Sequence, residues 1–135
     1  MEGLDVPWFR LKGARVAVRA LRGAIQISGN ERQAILDGTS TLVQALLERN
    51  NLRSEDIISI VFTATPDLTA EFPAYAARQL GLTDVPLLCA VEIDVPQAMP
   101  RVLRLLAHVS TDLTRADLRH VYLGGAAALR TDLPQ

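Results

Sequence analysis

The sequence predicts a two-layer α/β domain, with one mixed β-sheet carrying both helices on the same face. Three observations predict it. β-branched runs alternate with segments of helical period in the order β-α-β-α-β, and a further apolar run and a last short strand follow. Gly, Pro, Asn and Asp punctuate the junctions. The 135 residues, 49% hydrophobic and 21% charged, suffice for one core and are too few for two domains of ordinary size.

The first strand is VAVRALRGA (16–24), where Val and Ala dominate and Gly23 argues against helix. Residues 1–15, with Trp8 and Phe9, read as an extension of a domain spanning 16–135. Ser28-Gly29-Asn30 is turn chemistry and places Asn30 as an N-cap. Beyond it Ile35, Leu36, Leu42, Val43, Leu46 and Leu47 recur at helical spacing up to Arg49-Asn50-Asn51. Ser54, Glu55 and Asp56 turn the chain into IISIVFTAT (57–65), a strand that Pro66-Asp67 ends. Pro73 in a first turn and Gly81 at a C-terminal stop frame a short helix, and VPLLCAVE (85–92) is the third strand. The run RVLRLLAHV (101–109) reads equally as helix or strand. HVYL (120–123) is a short strand broken by Gly124-Gly125, and AAALR (126–130) forms one helical turn. With both helices on one side, the other sheet face needs cover, which a small domain often finds in another subunit.

Composition excludes several functions. The net charge is −1 and the basic residues are scattered, so no cationic face is offered to nucleic acid or to an anionic membrane. No apolar run approaches the roughly 18 residues of a membrane span. The start, MEGLDVPWFRLKGAR, lacks the pattern of a secretory signal, and a cytoplasmic location is expected. A single cysteine allows no internal disulfide, and His108 and His120 are too far apart for a local metal pair. No phosphate-cradling GxGxxG or GxxxxGK[ST] and no GxSxG elbow occurs. Thirteen of the 14 basic residues are arginines, whose planar fork of donors suits discrete carboxylates.

Against that background, LLCAVEIDVPQAMPRVLRLL (87–106) stands out. It sets Cys89, Glu92 and Arg104 into the most apolar part of the chain, where each is costly to bury without a partner. A nucleophilic Cys89 would need His120 as a tertiary partner, and an inert buried thiol is the simpler reading. Glu92 and Asp94 lack a third carboxylate for a hard metal. Cys89 and Glu92 are three apart, which puts them on opposite faces of a regular strand unless Glu92 lies past its end or a bulge re-aims it.

Five segments in order resemble the Bacillus-type monofunctional chorismate mutases. They are VRALRGA, TATPDLTAEFPAYAAR, VPLLCAVEIDV, PRVLRLLAHVSTD and LRHVYLGGAAALRTDL, together covering about residues 18–133. The resemblance implies that 101–109 is a strand, giving a five-stranded sheet. It also implies a homotrimer with a barrel-like core and active sites in the clefts between subunits. The implied reaction is the intramolecular Claisen rearrangement of chorismate, a dianion, to prephenate in aromatic amino-acid biosynthesis. It needs no cofactor, no metal and no proton transfer. Carried over by motif, Arg104 donates to the ether oxygen. Glu92 and Cys89 engage the ring hydroxyl, Arg22 and Tyr122 bind the enolpyruvyl carboxylate, and Arg130 approaches the ring carboxylate on a mobile closing segment. Phe72 and Ala74 line the cleft from the neighbour, with Leu88 and Leu129 nearby and Arg78 farther out. Tyr75 stands where the best-known members carry lysine, and Thr131 where they carry proline. Two other readings compete: an imine/enamine deaminase of the YjgF/RutC-like group, and a non-catalytic metabolite-binding trimer.

Overall fold

The computed structural model describes residues 16–132. The expected extension, with Trp8 and Phe9, lies outside them. The described residues form five strands: β1 (Ala17–Gln26), β2 (Ile57–Ala64), β3 (Leu87–Val91), β4 (Val102–Thr111) and β5 (Val121–Leu123). Two helices, α1 (Arg32–Arg49) and α2 (Pro73–Gln79), interrupt them. The ambiguous run 101–109 is thus a strand, and the expected turn of helix at 126–130 is instead a 3-10 segment, Gly124–Ala128.

The sheet order is β3-β2-β4-β1-β5. Central β4 runs antiparallel to both β1 and β2, while edge strands β3 and β5 run parallel to β2 and β1. The alternation of side chains divides this sheet into two unlike faces. Leu21, Ile60, Phe62, Leu103, Leu105, Ala107 and Val109 point to the helices, where they bury against Ile35, Leu42, Val43 and Leu46 of α1 and Ala74 and Ala77 of α2. Gly23 belongs to this face for a steric reason. A Cβ there would lie 3.2 Å from both Leu105 Cγ and Leu42 Cδ1, tighter than ordinary packing allows. Gly81 closes α2 with φ of +99°, the left-handed conformation that suits a glycine at a helix end.

One expectation about the helices is corrected. The N-cap of α1 is Glu31, with no side-chain cap bond. Asn30 spends its amide elsewhere: Oδ1 accepts from the Thr69 and Ala70 N–H groups at 2.9 and 3.0 Å, and Nδ2 donates to Thr69 Oγ1 at 2.9 Å. The residue types suited to capping a helix are equally suited to bracing a loop.

The second face carries Val18, Ala20, Arg22 and Ala24 of β1, Ser59, Val61 and Thr63 of β2, Leu88 and Ala90 of β3, and Arg104, Leu106 and His108 of β4. No helix covers it. Val18 and Leu88 are 63% and 60% exposed, far more than isolated core-type residues need be.

Candidate active site

The chemistry-bearing residues fall on one line across the open face. Strand registers pair Ala90 with Thr63, Thr63 with Arg104, Arg104 with Ala24, and Ala24 with Tyr122. This single row crosses all five strands. Because Ala24 separates them, Arg104 and Tyr122 stand two strand spacings apart, about 10 Å between backbones, and Ala24 itself is buried in a small cluster with Val102, Tyr122 and Ala126.

Glu92 joins the row from the end of β3. The strand stops at Val91, yet the Glu92 N–H still donates to the Ala64 carbonyl at 2.9 Å. The residue therefore lies just past the strand while keeping the strand's alternation, which puts it on the face of Leu88 and Ala90. Its Oε2 lies 2.9 Å from Arg104 Nε, with the two side chains 16% and 41% exposed, and accepts a 2.6 Å hydrogen bond from the Thr63 hydroxyl. A guanidinium has five donors, and one carboxylate oxygen occupies few of them. The pair is a partly buried cation that retains donors for a ligand.

The chain leading into β4 is braced, which fixes where Arg104 stands. Arg101 adopts φ of +53°, and its N–H donates to both Asp67 oxygens at 3.0 and 3.2 Å. Its Nε donates to the Ile27 carbonyl at 2.8 Å, and its carbonyl accepts from the Ile27 N–H at 2.7 Å. The Val102 N–H donates to Thr65 Oγ1, and Thr65 N–H returns a bond to the Val102 carbonyl, both at 3.0 Å. A concavity of about 360 Å³ lies between Thr65-Pro66-Asp67 and the loop 93–100, with Glu92 and Arg104 in its wall.

A second cationic group stands at the β1/β5 edge. Arg22 is exposed on β1, and its backbone N–H donates to His120 Nδ1 at 3.0 Å. β5 begins only at Val121, so the imidazole takes the place of the missing ladder acceptor. Burial, then the Arg22 and Arg130 charges, lower the His120 pKa from its ordinary value. Arg130 makes a bidentate pair with Asp132, 3.0 Å at both contacts; this raises the arginine's pKa and lowers the aspartate's. Tyr122 is buried among Ala24, Val102 and Ala126, with Leu129 packed against them. Arg22, Tyr122, Leu129 and Arg130 thus share one end of the sheet.

The remaining candidates lie elsewhere. Cys89 is on the alternate face of β3, half-buried against the core, while Leu88 faces out with the site row. Within one chain His120 and Cys89 sit at opposite edges, four strand spacings or about 19 Å apart, so they make no intrachain catalytic couple. Phe72, 68% exposed, shares a concavity at the β3 edge with Glu71, Pro73, Cys89 and Ala90. Ala74 is buried, Arg78 is exposed in the last turn of α2, and the Arg32 guanidinium lies 5.2 Å from the Tyr75 ring centroid. Within one chain this group stays apart from Arg22 and Arg130. Among the described residues no three His, Cys, Asp or Glu side chains gather as metal ligands, and no helix is long and apolar enough to cross a membrane.

The family model for chorismate mutase type I matches residues 18–133. The chain belongs to this family. It is 47% identical over 117 residues to chorismate mutase AroH of Thermus thermophilus, covering 86% of this chain and 96% of the relative. It is 38% identical over 117 residues to chorismate mutase AroH of Bacillus subtilis, covering 86% of this chain and 92% of that one. A solved chorismate mutase from Clostridium thermocellum superposes with a TM-score of 0.81 at 45% identity, covering 82% of this chain and 98% of the other. Neither the deaminase nor the non-catalytic reading draws support from these chorismate mutase matches.

Two site features escaped the sequence reading. Thr63 lay inside a β-branched run where threonine is ordinary strand composition, and nothing in its spacing marks it. His120 stood out only as a metal-pair candidate with His108 and as a partner for Cys89, although HVYL after a turn does hint that its ring abuts a strand start.

Proposed function

We propose that this chorismate mutase rearranges chorismate to prephenate on its open sheet face, with Arg104 as the residue that carries the chemistry. The carrying observation is the site row itself, in which a braced guanidinium and a carboxylate share one face with Arg22 and Tyr122.

Chorismate has two carboxylates, a ring hydroxyl and an ether linkage. The rearrangement breaks the ether C–O bond as a C–C bond forms, and negative charge develops on the departing oxygen while positive charge develops on the ring. The enzyme's task is to hold the compact diaxial conformer and to meet that separation with fixed charges. Arg104 donates to the ether oxygen. Glu92 accepts from the ring hydroxyl and lies near the developing positive charge. Arg22 and Tyr122 hold the enolpyruvyl carboxylate. Arg130 exchanges Asp132 for the ring carboxylate, so its segment closes when substrate binds.

The site is shared between copies in this reading. Phe72, Ala74, Tyr75 and Cys89 stand at the β3 edge, and a neighbouring chain seated on the open face brings its own β3 edge to Arg22, Leu129 and Arg130. A homotrimer in the cytoplasm satisfies the exposed apolar face at the same time. Arg78, in the last turn of α2, supports the neighbour's contribution from outside, and Leu88 lies in the interface.

The test is to mix purified protein with chorismate, without added metal or cofactor, and follow the loss of its ultraviolet absorbance. Saturable, protein-dependent loss with prephenate as product is expected. Loss at the uncatalysed rate would overturn the reading.

A further inference from the structure

We propose that Thr63 is a positioning residue for the rearrangement, acting through Glu92. The inference rests on the reading of Glu92 and Arg104 given above.

The geometry is specific. Thr63 sits between Ala90 and Arg104 in the site row, on the same face as both. Its hydroxyl donates to Glu92 Oε2 at 2.6 Å, the same oxygen that lies 2.9 Å from Arg104 Nε. Two donors on one oxygen fix the carboxylate in rotation and leave Oε1 to accept from the ring hydroxyl. Without the hydroxyl, Arg104 is the remaining partner of Glu92 among these contacts. The carboxylate is then free to swing onto the terminal guanidinium nitrogens and compete with the ether oxygen for them. A branched Cβ gives Thr63 few rotamers, so the hydroxyl is held in place before substrate arrives. The bond is charge-assisted, the class of hydrogen bond that fixes geometry most strongly.

Thr63 lies outside the packed core. The neighbouring Phe62 points into the core, whereas Thr63 lies on the face without helices and is only half-buried. Its methyl group is not needed for the proposed task, and its hydroxyl is.

The experiment measures kcat and KM for chorismate in Thr63→Val, Thr63→Ser, Glu92→Gln and the Thr63→Val/Glu92→Gln double variant. Thr63→Val keeps the shape of the side chain and is expected to lower kcat about 10- to 100-fold with a smaller change in KM, as misplacement of a reacting group does. Thr63→Ser is expected to recover most of that loss. In the Glu92→Gln background, Thr63→Val is expected to cost less than about threefold more, because coupled residues are not additive. Should Thr63→Val fail to assemble, Thr63→Ala takes its place in the same comparison. The proposal is overturned if Thr63→Val turns over within about twofold of wild type, if serine is as poor as valine, or if the two losses multiply. Full activity in Glu92→Gln would instead remove the underlying reading of Glu92.

Discussion

The two faces of the same sheet have opposite fates. Between Leu103 and Val109, alternate residues of β4 are buried under α1 and α2, while Arg104, Leu106 and His108 look away from both helices. The covered face is saturated with aliphatic contacts and one Phe62. The open face combines exposed aliphatics with arginines, a carboxylate and hydroxyls. A strand's period of two lets one segment hold the fold with one set of residues and hold a ligand with the other. Stability and function are thereby assigned to different residues of one strand, and substitution can pull them apart.

The largest expected stability effect comes from the covered face. Phe62→Ala removes a fully buried ring and is expected to cost about 3–5 kcal/mol of stability, read in denaturant unfolding. A matching change across the sheet works differently. Leu106→Asp puts a charge into the open face between Arg22 and Val61, and is expected to leave each chain folded while shifting the proposed trimer to monomers in light scattering. A variant that remained trimeric would place the interface elsewhere.

A smaller effect should come from the edge of the open face. His120 has a pKa held below its ordinary 6.5 by burial and by Arg22 and Arg130; Asp132 lies near both arginines, while Arg115 and His108 line the same concavity as His120. An imidazole harder to protonate when folded contributes stability that is complete above about pH 6.5 and is lost as pH falls from there through the lowered folded value. Protonation also ends the ability of Nδ1 to accept the Arg22 N–H. The melting temperature should therefore fall between pH 7 and pH 5, and fall less in His120→Asn. Equal slopes would assign the acid sensitivity to other groups.

Much of this division was legible in the sequence, and the failures have physical causes. Strands, helices and their stops followed from period and punctuation. RVLRLLAHV stayed ambiguous because Leu, Arg and Ala favour helix, and tertiary pairing on both sides of β4 overrode that preference. Asn30 was misplaced as a cap because a loop 39 residues away competed for its amide. The family's motifs pointed to Arg22, Glu92, Arg104, Tyr122 and Arg130 as candidates, and the strand registers add which of them share a face. Whether Glu92 and Cys89 could face one site hung on where β3 ends, which periodicity does not fix to one residue. Thr63 was invisible because its contribution depends on a carboxylate 29 positions later.

The central claim is that the open face works while the covered face holds, and Arg104→Ala tests it most directly. Chorismate turnover, melting temperature and oligomeric state are to be measured side by side with wild type. The expected result is a loss of at least about 10²–10³ in kcat, the cost of removing a fixed donor to a developing oxyanion, with melting and assembly near wild type. Retained turnover in a folded protein of unchanged assembly, or loss of activity only together with loss of the fold, would contradict it.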